Sequence, residues 1–403
     1  MNPDWIYLDN NATTAPSTGV VGAMALALSQ TWGNASSSHA MGQEARQALA
    51  MARAQVARFL NCKPAEVVFT SGATEANHIA LRGAVGFNGR QRLVLSAGEH
   101  AGVQKLARHL AQRQQVEVDW IGLMPDGTLD LAQARELITP QVSLVSVMAA
   151  NNETGVLMPI GELARLAHEQ GALLHVDATQ LIGKLPFDFA RSGADLVSLS
   201  AHKFHGPKGV GALLVRQGLN WPALFMGTQE RARRGGTENL PGILGLGAAA
   251  ERLTLAPEAW VNHTATQARL RLTLEQGLLA ALPGTVIFGA QAARLPNTSY
   301  LRFGLVHADV VLNKLDRMGV MASSGAACSA SGNEPSPVLL AMGLTREEAL
   351  CAVRLSLSSQ TTAQQIQTVI ERLPLELAPL MAEQASAHTA PTSPSPIPTG
   401  VFA

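Results

Sequence analysis

Short apolar runs alternate with longer segments whose apolar positions recur every three or four residues through the first two thirds of the chain. Val67 to Thr70, Arg92 to Ser96, Leu144 to Met148, Leu173 to Asp177, Leu196 to Ser200 and Val210 to Val215 read as short buried strands. Between them, Ala73 to Ala84, His100 to Gln114 and Ile160 to Gln170 carry helical spacing. Upstream, Ala40 to Leu60 is an Ala-rich helix with arginines on one side. This alternation predicts an α/β fold built on a mainly parallel, doubly wound sheet. Ligands in such sheets sit beyond the carboxyl ends of the strands.

The alternation stops near Ala256 to Trp260. Helices over Ala265 to Leu282, Ala308 to Met318 and Thr362 to Leu373, with strands over Thr285 to Phe288 and Thr298 to Phe303, predict a smaller α+β domain. The expected division is a large domain over 15–256 and a small one over 257–384, to which residues 1–14 belong as an N-terminal segment. From Ala385 onward the chain is rich in Pro, Ser and Thr and too poor in apolar residues to pack, so 385–403 is expected to be a disordered tail.

Length and charge narrow the function. The 403 residues, 47% of them hydrophobic, exceed one core of ordinary size. Thirty basic and 30 acidic residues cancel without a long basic run, which argues against nucleic acid as a partner. No run of about 18 apolar residues predicts a membrane span. The N-terminus lacks the charged and apolar regions of a secretory signal. Three cysteines, Cys62, Cys328 and Cys351, are too sparse for a disulfide framework and point to a reducing, cytoplasmic setting.

The polar residues worth attention cluster at predicted strand ends. Lys203 stands between His202 and His205, just after a strand and just before a Gly/Pro-rich turn. That is an address for a lysine that binds pyridoxal phosphate (PLP) covalently and, taken alone, more often for an exposed turn lysine. Thr70 to Ala76 joins a strand to a helix with small side chains, which suits either a phosphate on free N–H groups or an ordinary capped helix. Asp177 ends a strand, where its carboxylate either pairs with a protonated pyridine nitrogen or caps the next helix; Gln180 follows within reach of a ring oxygen. His100 at another strand end is a proton carrier or a surface residue. Asn151 and Asn152 are ligand contacts or turn residues. Cys328 lies in a small-residue stretch, Ala322 to Gly332, that reads as a surface loop and presents either a nucleophile or an inert thiol. Arg354, in a strand-like alternation, suits a carboxylate clamp or an edge ion pair.

Taken together these segments resemble the cysteine desulfurases of the class V aminotransferase group. The resemblance runs from Tyr7-Leu8-Asp9-Asn10-Asn11-Ala12-Thr13-Thr14 through Gly33 to His39, Thr70 to Ala76, Glu99-His100, Asn151 to Gly155, His175 to Gln180 and Ser200 to Gly209. It continues over Gln229-Glu230-Arg231, Gly236 to Asn239 and Ser323 to Ser329 to Arg354-Leu355-Ser356. It implies the PLP transferase fold of type I and a homodimer that converts L-cysteine to L-alanine. By residue, it implies that Lys203 holds PLP, with Ala73, Thr74, Ser200 and His202 on the phosphate side. Thr237 would reach the phosphate of the other subunit's cofactor. Asp177 and Gln180 address the ring, Asn152 lies near substrate and cofactor, and Arg354 holds the substrate carboxylate. His100 moves protons. Cys328 takes the sulfur as a persulfide and is a candidate transient ligand of an iron–sulfur cluster under assembly. A sulfur acceptor or iron–sulfur scaffold protein is the implied partner. Arg233 to Asn239 and Ser331 to Pro337 resemble the nitrogen-fixation, NifS-like branch; a housekeeping desulfurase, a selenocysteine lyase, an aminotransferase and a non-catalytic sulfur-trafficking subunit are the alternatives. Ala326-Ala327 before the cysteine departs from the Ser-Ala form common in the family.

Overall fold

The computed structural model describes residues 5–114, 116–325 and 334–389. Among the described residues the 12 strands are β1 (Ile6–Tyr7), β2 (Val67–Thr70), β3 (Arg92–Ser96), β4 (Glu117–Ile121), β5 (Val142–Met148), β6 (Leu173–Asp177), β7 (Leu196–Ser200), β8 (Gly211–Val215), β9 (Thr285–Ile287), β10 (Thr298–Phe303), β11 (Val320–Met321) and β12 (Ala352–Ser356). Seven of them form one sheet in the order β2-β8-β7-β6-β5-β3-β4. Pairs among β3 to β7 are parallel, while β8 runs antiparallel to both β2 and β7. The predicted α/β sheet is therefore present, with one reversed strand. Thr70, Ser96, Met148, Asp177 and Ser200 end their strands on the same edge.

The strand sequences are almost wholly apolar because both sheet faces are covered. Successive side chains go to opposite faces. Val67 and Phe69 pack in one core and Val68 in the other; Val94 and Leu93/Leu95 divide in the same way. The helices Ala40–Phe59, Ile160–Glu169 and Leu240–Leu255 line the first face, and Ala73–Ala84 and Ala101–Gln114 the second. A third core joins Ile6 and Leu8 to Leu274, Leu278, Leu301, Phe303, Val353 and Leu355. It lies on an antiparallel sheet, β12-β10-β9. β1 pairs with β11 in parallel.

Two expectations are corrected, and one strand had no counterpart in the sequence reading. The helix expected to stop at Leu373 runs over Ala363–Thr389, through Pro374 and Pro379, so residues 385–389 are helical rather than tail. A proline removes a helical hydrogen bond, but Ile366, Val369, Leu373 and Leu377 bury one stripe against the third core, and that packing outweighs the breaks. The helix expected from Ala265 begins at Pro257, where proline sits at the first turn without cost. Glu117–Ile121 is a strand with a half-buried edge, and its mixed sequence gave no apolar run to read. The rest of the expected tail, 390–403, lies outside the described residues.

Among the described residues no helix is long and apolar enough to cross a membrane. Cys62 and Cys351 are free thiols, raised to about 12 and about 11 by burial.

Candidate active site

The common strand edge opens on a cavity of about 480 Å3. Its walls are the segments immediately after the strands: Ser71 to Thr74 after β2, His100 after β3, Ala150 and Asn152 after β5, Thr179 and Gln180 after β6, and His202, Lys203, Lys208 and Gly209 after β7. Asp177 and Ser200, the last residues of β6 and β7, also line it.

At one end the Ala73–Ala84 helix begins. Its cap, Gly72, has φ 156° and ψ −178°, a backbone region that only glycine enters freely, and it offers no side chain to the first-turn N–H groups. Gly211 on β8 keeps this start close: a Cβ there would collide with the Leu199 carbonyl and Gly72 Cα. The N–H groups of Ala73 and Thr74 are thus presented at a helix N-terminus, an arrangement that attracts anions. Ser200, His202 and Lys208 add hydroxyl, imidazole and ammonium groups. Burial, then the positive charges of Lys203 and Lys208, lower His202 to about 4, so its ring is neutral at pH 7.

Across the cavity Asp177 is held by two donors. Asn77 Nδ2 donates to Oδ2 at 2.8 Å and the Thr179 N–H to Oδ1 at 3.0 Å. Asn77 Oδ1 and Thr179 Oγ1 are buried without a hydrogen-bond partner. Asn77 escaped the sequence reading; its signal is a polar residue on the buried stripe of an amphipathic helix, between Ala76 and Ile79.

Lys203 lies in the tight turn Ala201–Lys203. The segment 9–14 fixes it: Lys203 Nζ donates to the Asn11 and Ala12 carbonyls at 2.6 and 2.9 Å. Thr14 Oγ1 donates to the His202 carbonyl and accepts from the His205 N–H, clasping the turn on both sides. The same segment reaches the third core, where the Asn10 N–H bonds to the Ser356 carbonyl.

His100 Nδ1 accepts from the Gly102 N–H at 3.1 Å, which leaves the proton of the neutral ring on Nε2. Beside it Glu99 is fully buried, takes the Met148 N–H at 2.6 Å and has Oε2 unpartnered. Burial, then the nearby charge of Asp177, raise its carboxyl well above the usual carboxylate range. A group raised on folding stabilises fully below its unfolded pKa and loses that contribution as pH rises. Glu99→Gln is therefore expected to gain stability relative to the parent between pH 5 and pH 8, by at most about 1.4 kcal/mol per pH unit. Thermal denaturation at the two pH values checks it; a pH-independent difference contradicts it.

Two expected site residues lie off the cavity wall. Thr237 lines a smaller cleft that shares Ser71 and Gly209 with the main cavity. Arg354 sits behind Asn152, donating from NH1 to its carbonyl and from NH2 to Asp9 Oδ1, each at 2.9 Å, with Nε unpartnered. Cys328 lies outside the described residues. The segment on either side of it ends at Gly325 and Glu334, which with Glu99, His100, Asn152 and Glu153 line a second cavity of about 210 Å3 beside the first. Among the described residues no group of three or more His, Cys, Asp or Glu is placed to hold a metal.

The residues present fit PLP. One cavity combines an amine, a carboxylate at a strand end and an uncapped helix N-terminus, and its wall carries buried polar atoms left unpartnered on Asn77 and Thr179. That donor set matches an aldehyde, a pyridine nitrogen and a phosphate.

Residues 6–369 match the model of the class V aminotransferase family. A cysteine desulfurase of Cereibacter sphaeroides is 45% identical over 92% of this chain and 95% of its own length. One from Rhodobacter capsulatus is 44% identical, over 93% and 97%. Among solved structures, a NifS-like protein superposes with a TM-score of 0.86 at 33% identity, over 93% of this chain and 99% of its own. SspA, solved in complex with cysteine, superposes with a TM-score of 0.76 at 31% identity, over 89% and 100%. The fold is that of the type I PLP enzymes. The chain belongs to the class V aminotransferase family and is a PLP-dependent enzyme.

Proposed function

We propose that the protein is a cysteine desulfurase: it removes sulfur from L-cysteine, releases L-alanine and carries the sulfur as a persulfide on Cys328. The observation that carries this reading is a single cavity holding Lys203, Asp177 and an uncapped helix start, with Asn152 on the wall and Arg354 supporting it from behind. The names of the similar proteins point the same way.

PLP, when bound, supplies an electron sink for charge developing at the substrate α-carbon. Lys203 holds it, and the Lys203 amine takes the α-proton. Asp177 keeps the pyridine nitrogen protonated, and Ala73, Thr74, Ser200 and His202 bind the phosphate. Thr237, near the phosphate end but off the wall, serves the phosphate bound by the second subunit. Gln180 donates to the ring oxygen. Arg354 and Asn152 hold the substrate carboxylate, and His100 moves the thiol proton. The Cys328 thiolate attacks the substrate sulfur. As the S–S bond forms, the Cβ–S bond breaks; its electron pair stays with the carbon skeleton, which takes up protons and leaves as alanine. No external oxidant is required.

The small domain over 1–14 and 257–384 carries the sulfur-accepting cysteine, and 15–256 the PLP site. A homodimer is supported by the exposed apolar side chains Val21, Leu26, Leu28, Trp32, Met51 and Met226. The persulfide serves iron–sulfur assembly in the cytoplasm through an acceptor or scaffold protein, with Cys328 as a transient cluster ligand. Resemblance of Arg233 to Asn239 to the nitrogen-fixation branch favours nitrogenase maturation.

Purified protein with PLP and L-cysteine is expected to yield equal alanine and sulfide in the presence of a thiol reductant. Selenide from selenocysteine in preference would identify a lyase instead. Arg354→Ala is expected to raise KM for cysteine roughly 10- to 100-fold, the loss of a charged hydrogen bond that ground and transition states share. Steady-state kinetics check it; an unchanged KM contradicts the clamp.

A further inference from the structure

We propose that Lys184 is a positioning residue that fixes the Gln180 side-chain amide with an N–H edge, not its oxygen, toward the cavity. The inference rests on the reading of Gln180 as a donor to the PLP ring oxygen.

Lys184 is buried and has no ion pair among the described residues. Burying an ammonium without a carboxylate is costly. Two amide oxygens stand in for one: Nζ donates to Gln180 Oε1 at 2.5 Å and to Asn11 Oδ1 at 2.7 Å. Gln180 Nε2 donates to the Asn11 carbonyl at 3.0 Å, the same oxygen that Lys203 Nζ bonds at 2.6 Å. Asn11 Oδ1 also takes Asn297 Nδ2 at 3.1 Å, and Asn11 Nδ2 donates to Thr298 Oγ1 at 2.9 Å. The partners of the Asn11 side chain are thus fixed from several sides.

While charged, Lys184 offers only donors; the neutral amine keeps two N–H donors and gains one acceptor lone pair, whereas the Asn11 carbonyl accepts in either state. A flipped Gln180 would set its NH2 against the Lys184 donor and its oxygen against the Asn11 carbonyl. With Lys184 charged both contacts would be repulsive, and with it neutral the second still would be, so Lys184 and the Asn11 carbonyl together select one of the two amide orientations. In that orientation Nε2 keeps one N–H beyond the bond to Asn11, and Gln180 lines the cavity. A ring oxygen with negative character takes an N–H and rejects a carbonyl. The spacing supports the assignment, since Lys184 follows Gln180 by four residues around the turn after β6. The charged groups that face Lys184 are Lys203 and Arg354; burial first, then those two charges, push its own pKa well down.

The test is a pH titration of the visible absorption band of the holoenzyme. An N–H on the ring oxygen stabilises its negative charge and weakens its hold on the proton of the Lys203 linkage. Losing that N–H therefore moves the titration midpoint up. Gln180→Ala and Lys184→Met are each expected to raise it by about one pH unit, a tenfold change in proton affinity. The double variant is expected to move no further than Gln180→Ala alone. A Lys184→Met midpoint equal to the parent's overturns the proposal while the Gln180 reading stands. Additive shifts overturn it too, because Lys184 would then act by its own charge on Lys203. An unshifted Gln180→Ala overturns the role of Gln180 and the proposal together. If Lys184→Met does not fold, Lys184→Gln, polar but too short to span both oxygens, is read on the same scale.

Discussion

Lys203→Ala is expected to purify without the visible absorption of bound PLP and to lose cysteine turnover by at least about 10³-fold. Two functions go at once: the covalent anchor and the base for the α-proton, and a positioned base alone contributes about 10²- to 10⁴-fold. The anchor is specific to this position. Lys203 is held at a strand end by the carbonyls of Asn11 and Ala12, whereas Lys184 is tied to Asn11 Oδ1 and Gln180 Oε1, and Lys208 is exposed at the phosphate end. Losing the lysine also leaves the Ala12 carbonyl without that donor, which costs about 1–3 kcal/mol if it stays dry, while the Asn11 carbonyl keeps Gln180 Nε2. Circular dichroism of the variant separates that from chemistry. Absorption that survives dialysis in a folded Lys203→Ala would assign the anchor elsewhere.

Cys328→Ser is expected to bind PLP and cysteine with the spectrum of the parent, yet to release neither alanine nor sulfide above background. The hydroxyl lacks the nucleophilicity and the leaving chemistry of a thiolate, so no S–S bond can form. The other two cysteines offer no substitute. Cys62 and Cys351 are pushed up to about 12 and about 11 by burial, and Cys351 Sγ is taken by the carbonyls of Leu305 and Glu347. Because the PLP site is built from residues after β2 to β7, the substitution should leave it intact. The spectral titration with cysteine is therefore the control, and undiminished sulfide release would move the nucleophile away from Cys328.

The sequence made the large sheet legible because its strands are buried on both faces and carry unbroken apolar runs. Five of the 12 strands, β2, β3, β6, β7 and β10, have the expected bounds. Less legible was anything whose reason lies in distant packing. The direction of β8 follows from the short return through Gly209, not from its own residues. The Ala363–Thr389 helix survives two prolines only because a stripe of it is covered by the third core. The Leu240–Leu255 helix was hidden by its glycines; one of them, Gly247, packs so closely that a Cβ would meet Ala52 Cα at 2.9 Å.

The site divides in the same way. Residues just after strands were found, because the fold class says where ligands go. Residues that act through others were not: Asn77 holding Asp177, Lys184 holding Gln180, and Asn11 as the acceptor shared by Lys203 and Gln180 owe their roles to partners distant in the fold, and the polar position of Asn77 on a buried helical stripe was their faint trace. Arg354 was anticipated as a clamp, but its ion pair with Asp9 and its bond to the Asn152 carbonyl appear only once the N-terminal segment is laid across β12.

The central claim is that sulfur passes from cysteine to one thiol of this chain. Mass spectrometry of peptides from the holoenzyme, treated with L-cysteine without reductant and alkylated, tests it most directly. One extra sulfur on the peptide containing Cys328, absent from Lys203→Ala, is the predicted result. Extra sulfur on Cys62 or Cys351 alone, or on none while alanine accumulates, would contradict it.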